Sequence, residues 1–481
     1  MDSGTPAWTL YFQALDWLWL CLGLFALGLA GAAVLRPTAA PRHAAVPRHG
    51  PAILRRAALA ALAAGVPLLL GALQAGYHDC LQNRFDSGVM ANLAWNLVHG
   101  NGMAASILAD RSYFAVHFAF FKMAFAPLLL TWNSAGVLAM VQGAALGSSI
   151  PALYLLARRR PGTEQAAWVF ALLGLANPLF HELSVTVLDN IVYAVPLFLW
   201  AAYFAESGRL VPALGLGLLL LTTREEAPFL AFGLGAFLWM KGGRRRLASA
   251  VMAGSVALFI GEMALITSMR EGWGGCRDYW GMFFQGLGAS ASEAAAAPWR
   301  VVGALFLPSE KLLTPVKVLA SLGFLPLLSP TTLLLALPAW VPHQAADAGT
   351  SYHLLTMHYS ALLLGPLLWS SLSGFEWLRA RLKPVHQGLP AAGLLCLAGA
   401  LFLSADRFHR PGFVPPEWPS SAEAALRHIP DDAKVWADQF FLPKLALRRH
   451  LRGIPPSLPD CFFEPGLFLP DRVLVTAHWL S

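Results

Sequence analysis

The feature that most constrains this chain is a succession of apolar runs. Each is near the length of a membrane-spanning helix, and they are separated by short interruptions in which arginine clusters alternate with acidic, histidine-bearing loops. The hydrocarbon core of a bilayer is about 30 Å thick and a helix rises about 1.5 Å per residue, so a span needs roughly 20 apolar residues. Composition agrees. A soluble chain carries about a quarter charged residues to cover itself in water, whereas 13% of these 481 residues are charged and 57% are hydrophobic. Lipid is therefore the expected solvent. The +7 net charge does not mark a nucleic-acid binder, because the basic residues sit between apolar runs, as in Arg158-Arg159-Arg160 and Lys241 with Arg244-Arg245-Arg246. That is the positive-inside pattern, and no nucleic-acid partner is expected.

Cutting the runs at polar, Pro or Gly interruptions predicts about twelve spans: Trp17 to Leu35, Ala57 to Gly76, Ser134 to Ala157, Gln165 to His181, Asn190 to Ala205, Leu210 to Thr223, Ala227 to Met240, Leu247 to Thr267, Leu312 to Leu328, Thr331 to Pro342, Tyr359 to Leu378 and Gly388 to Ser404. Phe114 to Leu130 is also apolar, but a thirteenth span there would put the Arg158 and Arg244 clusters on opposite faces, so it is read as a helix lying at the interface. Arginines then mark the cytoplasmic face. The outer face receives loops 77–133, 182–189, 268–311 and 343–358, the turn from Thr223 to Glu226, and both termini. The predicted fold is an all-α polytopic membrane protein. Residues 1–56 form an additional first helix with a basic cytoplasmic loop, 57–404 the main transmembrane domain, and 405–481 a small extracytoplasmic α/β appendage. In that tail, Ser420 with Glu423 reads as a capping box opening a helix to His428. Short strands follow at Lys434 to Ala437 and Arg472 to Thr476, with a helical stretch at Pro443 to His450 between them. The five cysteines, Cys21, Cys80, Cys276, Cys396 and Cys461, show no metal spacing. Cys80, Cys276 and Cys461 fall on the outer side, where a disulfide is allowed, and their spacing does not pair them.

Candidate chemistry gathers on the outer loops. Asp86 follows the second span directly and fits either a base or metal ligand at the lipid boundary or the N-cap of a helix starting at Ser87. His117 fits a ligand or a satisfied structural imidazole. Asp189 opens a helix and has the same capping alternative. Within Thr223-Arg224-Glu225-Glu226, charges interrupt two very apolar helices; Arg224 suits bidentate phosphate binding or pairing with its neighbouring glutamates. Glu262 is an intramembrane carboxylate, hence a functional candidate, with snorkelling to the interface as the alternative. His358 and Tyr359 suit a headgroup or sugar site, or an interfacial belt. No P-loop, H-E-x-x-H or G-x-S-x-G stands in a usable context.

These motifs together carry a resemblance. Phe85-Asp86-x-Gly88 with Trp95-Asn96 and His99-Gly100-Asn101-Gly102, then His117, Gln142, Pro151 with Tyr154-Leu155-Leu156-Ala157-Arg158, Pro178 with Phe180-His181, Thr223-Arg224-Glu225-Glu226 and His358-Tyr359-Ser360 resemble the bacterial membrane-protein family known as domain of unknown function 2079, from about Gly76 onward. That family is in turn similar to the C-type (GT-C fold) glycosyltransferases, which use polyprenyl-phosphate-linked sugars. The resemblance implies a GT-C-like fold in the bacterial cytoplasmic (inner) membrane, with Asp86 and Asp189 as the acids of the first and second outer loops and His117 as their polar partner. Asp86 would orient or deprotonate an acceptor hydroxyl, with a divalent cation, Mg or Mn, left open as a partner. Arg224, Glu225, Glu262, His358 and Tyr359 would line the donor phosphate or headgroup. The chain departs from the pattern twice: Ser87 stands where a second acid is common, and Arg224 where Lys is common. A non-catalytic lipid or solute transporter, or a structural membrane subunit, is the rival reading.

Overall fold

The computed structural model describes residues 57–79, 85–242, 245–270, 297–346, 354–355, 357–382, 387–408, 418–454 and 470–474. The predicted first span and basic loop, the cysteines other than Cys396, most of loop 268–311 and half of loop 343–358 lie outside these residues. The described part is overwhelmingly helical. Among the described residues three helices are long and apolar enough to cross a bilayer: α1 (Ala57–Asp79), a later helix at Gly136–Arg159, and another at Arg245–Met269. A fourth crossing requires Glu164–Ala176 and Pro178–Ser184 together, bent by 56° at Asn177, because Pro178 cannot continue the preceding hydrogen-bond ladder.

In chain order, α2 (Phe85–Val98) follows α1 and leads to a two-residue antiparallel ribbon, β1 (Ala104–Ala105) and β2 (Arg111–Ser112). Next comes a 3-10 helix at Phe121–Leu130, about 20 Å long at its rise and so too short to span. α3 (Gly136–Arg159), α4 (Glu164–Ala176) and α5 (Pro178–Ser184) follow, then α6 (Asn190–Glu206), α7 (Leu210–Leu221), α8 (Ala227–Lys241) and α9 (Arg245–Met269). The predicted runs Leu312 to Leu328 and Thr331 to Pro342 are not continuous helices. They break into Leu313–Ala320, Leu325–Leu328, Pro330–Leu333 and Leu337–Ala345. Gly323 and Phe324 have positive φ, and Pro326 and Pro330 each remove a backbone donor. Two further helices, Ala361–Arg381 and Leu389–Phe408, complete the bundle.

Close approach of α1 and α3 depends on glycine. A Cβ on Gly143 would collide with the Leu70 carbonyl, and one on Gly147 would lie 2.7 Å from Pro67 Cα; small residues let helices pack where lipid supplies no hydrophobic drive. Arginines gather at one end of the bundle. Arg160 pairs with Glu206 at the end of α6, donates to Ser373 Oγ at 2.8 Å and lies over the Trp369 ring, while Arg379 bonds the Gly162 carbonyl. α6 begins at the opposite end, beside Asp189, roughly 25 Å away at the helical rise.

The tail differs in detail from its expectation. Its helix runs Trp418–Leu426, so Ser420 lies inside it. Val435–Ala437 and Arg472–Leu474 are strands as expected, but the basic stretch is helical only at Leu442–Leu445 and then becomes a third strand, Leu451–Gly453. The three form a parallel sheet with Val435–Ala437 in the middle. This unit shares one apolar core with α2, the ribbon and the 3-10 helix.

Candidate functional site

Five separate segments bring polar side chains to one cavity of about 130 Å3. Asp86 comes from the first turn of α2, Tyr113 and His117 from the loop after β2, Asp189 from the turn before α6, Arg224 from the turn between α7 and α8, and His358 with Tyr359 from the approach to the helix at Ala361–Arg381. Phe85, Val89, Met90, Leu108 and Val116 supply its apolar wall. A larger apolar groove of about 480 Å3 runs beside it, lined by Met103, Phe114, Phe120, Phe121, Met123, Ala124, Leu219 and Thr222. Within that groove the Phe120 and Phe121 amides both donate to the Thr222 carbonyl at 3.2 Å.

Arg224 organises the charges. Its guanidinium is buried and lies 3.5 Å from Asp189 Oδ2, 3.7 Å from Glu226 and 4.0 Å from Glu225. Asp189 divides its two oxygens between roles: Oδ1 caps the next helix by accepting the Ile191 amide at 2.9 Å, while Oδ2 faces Arg224 and, at 3.7 Å, His358 Nε2. Burial alone would raise the Asp189 pKa, but His358, Arg224 and the Ile191 hydrogen bond hold it below the usual carboxylate range. Burial lowers His358 to about 4 against the opposing pull of Asp189, so at neutral pH Arg224 is the lasting counter-charge. Glu225 sits behind His117: His117 Nδ1–H donates to Glu225 Oε1 at 2.7 Å, and the Phe118 amide donates to Oε2 at 3.1 Å. Arg224 Nη2 donates to His117 Nε2 at 3.1 Å. An arginine cannot accept, so Nε2 presents its lone pair and the imidazole is the neutral Nδ1–H tautomer.

Asp86 lies inside the first helical turn, since α2 begins at Phe85 and not at Ser87 as the capping reading requires. Burial, and then the nearby Asp189 charge, raises its pKa to about 6, against His117 and Arg224.

A family model described as predicted membrane protein (DUF2079) matches residues 77–459. This chain belongs to that family. No curated protein matches it in sequence. Among solved structures, ArnT from Cupriavidus metallidurans, crystallised bound to undecaprenyl phosphate, aligns at a TM-score of 0.49 and 14% identity, over 87% of this chain and 90% of that one.

In this DUF2079 member, Asp86, His117, Asp189, Arg224, His358 and Tyr359 share the cavity wall, whereas Glu225 stands behind His117 and Glu262 does not line it. Glu262 is buried in α9, and among the described residues neither of its carboxylate oxygens has a hydrogen-bond partner. Sequence reasoning missed Lys122 and Asn190, and it read Ser87 only as a departure from a pattern. Ser87 is fully buried and accepts the Leu188 amide at 2.7 Å. Lys122 is fully buried, donates through Nζ to Gln142 Oε1 at 2.7 Å and through its amide to Asn190 Oδ1 at 2.6 Å. Gln142 Oε1 also accepts the Asp189 amide at 2.9 Å. A charged residue inside an otherwise apolar interfacial run is the signal that could have found Lys122. Among the described residues no three His, Cys, Asp or Glu side chains form a ligand set for a divalent cation, and the oxygens of Asp189 and Glu225 are already engaged by Arg224, His117 and backbone amides.

Proposed function

We propose that this protein is a membrane-embedded glycosyltransferase that moves a sugar from a polyprenyl-phosphate donor to an acceptor at the extracytoplasmic face. The observation that carries the reading is the convergence of Asp86, His117, Asp189, Arg224 and His358 on one cavity beside an apolar groove. Such a donor is amphipathic, and that pairing of environments suits its two halves. Phosphate is a competent leaving group, so orientation, one base and one cation suffice.

In this mechanism Asp86 takes the proton of the acceptor hydroxyl, whose oxygen forms the new bond to the anomeric carbon. The bond from that carbon to the phosphate oxygen breaks, and its electron pair leaves with the phosphate. Arg224 meets the developing phosphate charge, with a planar fork suited to two phosphate oxygens. Asp189 and His117 hold that fork in place, and Glu225 fixes the imidazole tautomer. A pKa near the working pH is what a general base needs, and Asp86 at about 6 meets that condition. No step is routed through a metal ion.

The transporter reading has one observation of its own, the buried Glu262 carboxylate in α9. Against it, the other candidate charges gather at one end of the bundle, while a translocation path needs them near the midplane. The deciding experiment offers a panel of synthetic polyprenyl-phosphate sugars to the protein in lipid nanodiscs and measures released polyprenyl phosphate. Release that depends on Asp86 and Arg224 supports transfer; full release by Asp86→Asn overturns it.

A further inference from the structure

α2 carries Asp86 at its start, yet its far side is bonded to a part of the chain some 350 residues later. Asn92, fully buried one and a half turns beyond Asp86, donates through Nδ2 to the Ala446 and Arg448 carbonyls at 2.8 and 2.9 Å. Its Oδ1 accepts the Ser106 amide at 2.8 Å, the Ser106 hydroxyl at 3.1 Å and Asn96 Nδ2 at 3.2 Å. One amide therefore ties α2, the ribbon and the C-terminal unit together with its hydrogen-bonding capacity used in full. Gly88, two residues from Asp86, lies so close to Leu442 that a Cβ there would be 2.8 Å from Leu442 Cβ and 3.1 Å from its carbonyl carbon. Arg452 bonds the Ser106 carbonyl and reaches Asp110 at 3.1 Å, and Lys444 pairs with Asp79 at the end of α1 at 2.6 Å.

We infer that the C-terminal unit is a brace that positions Asp86 in the cavity, acting through Asn92 and the Gly88–Leu442 contact. α2 is clamped between two partners: Ser87 bonds the loop that carries Asp189, and Gly88 and Asn92 meet the tail. A helix of 14 residues outside the membrane has little stability of its own, so its placement comes from what it packs against. The tail is then part of the active site's scaffold, although none of its described residues lines the cavity.

The inference rests on the reading of Asp86 as the reacting group, and its test needs no turnover, so the two fail separately. Full-length protein in nanodiscs is treated with dicyclohexylcarbodiimide, which modifies protonated carboxyls, and Asp86 modification is followed by mass spectrometry across pH. Exchange protection of 435–453 reports tail docking in the same samples. Wild type is expected to label with a midpoint near its raised pKa of about 6. Asn92→Asp keeps the Ser106 bonds but turns an oxygen toward two carbonyls, and Gly88→Ala wedges α2 off Leu442. Each is expected to lower tail protection and move the labelling midpoint down by about one pH unit or more, toward the ordinary carboxylate range. Arg427→Ala, an exposed tail change, is expected to leave both unchanged. If either variant loses tail protection while Asp86 keeps its wild-type profile, the tail docks without positioning the site and the inference is wrong. Should Asn92→Asp fail to accumulate, Gly88→Ala decides alone.

Discussion

Ser87 Oγ accepts the Leu188 amide at 2.7 Å, joining the residue after one candidate acid, Asp86, to the residue before the other, Asp189. The bond spans 101 positions in sequence and sets the spacing of the two carboxylate-bearing segments. Serine suits this position: it is fully buried, and a hydroxyl there satisfies a buried amide without introducing a charge.

Ser87→Ala is therefore expected to orphan the Leu188 amide and cost about 1–3 kcal/mol of stability, read as a lower thermal midpoint in detergent. Ser87→Asp, which restores an acidic pair, is expected to be worse and not better, because the new carboxylate has no room in water. Wild-type stability in Ser87→Asp would contradict the assigned role.

Asp86→Asn is expected to abolish transfer while raising stability at about pH 8. The sign follows from linkage: a carboxyl whose folded pKa is raised to about 6 favours the fold below its unfolded pKa and loses that contribution as pH rises through 6. Wild-type kcat/KM should rise with pH and level off above about 6, as a base must be ionised. A profile flat from about pH 5 to 8 would remove Asp86 as the base.

Glu225→Gln is expected to reduce transfer about tenfold or more, because the carboxylate that accepts from His117 Nδ1–H and the Phe118 amide becomes an amide with one oxygen for two donors. Charge-assisted hydrogen bonds of this kind contribute about 1.5–3 kcal/mol. The measurement is kcat against KM for the donor. A loss confined to KM would mean that Glu225 helps bind donor, not orient His117.

Arg224→Leu is expected to destabilise the fold by about 3–5 kcal/mol, since it removes the guanidinium that lies against the buried Asp189 and Glu226 carboxylates. Arg224→Lys should fold better but lose donor affinity, because an ammonium cannot present a fork. Equal donor binding by Arg224→Lys and wild type, in a titration with undecaprenyl phosphate, would argue against a bidentate role.

Gly143→Ala is expected to lower the thermal midpoint without a specific effect on the site. Its added methyl meets the Leu70 carbonyl, a backbone atom that cannot swing aside, so α1 and α3 must separate. An unchanged midpoint would show that the two helices are not as tightly packed as their geometry indicates.

Properties carried by local order were legible in sequence. Apolar run length announced the membrane class, capping chemistry placed Asp189 at a helix start, and alternating residues marked two of the three tail strands. The runs at 312–342 were misread as whole spans, because apolarity was counted there while Gly323, Pro326 and Pro330 act on backbone conformation. Of the two readings open for Asp86, the capping one fails because the helix starts at Phe85, and helix onset depends on how α2 packs as well as on which residue can cap it.

By itself the sequence determined that this chain lives in lipid and that its acids, histidines and Arg224 belong to the loops at one end of its helices, because hydropathy and charge placement act over a single helix length. Only the tertiary structure decided that His117 meets Glu225 across 108 residues, that Ser87 joins Leu188, and that the tail grips the helix of Asp86. Those pairings follow from which helix faces abut, and a buried polar atom takes the partner that packing brings within about 3 Å, wherever in the chain that partner lies.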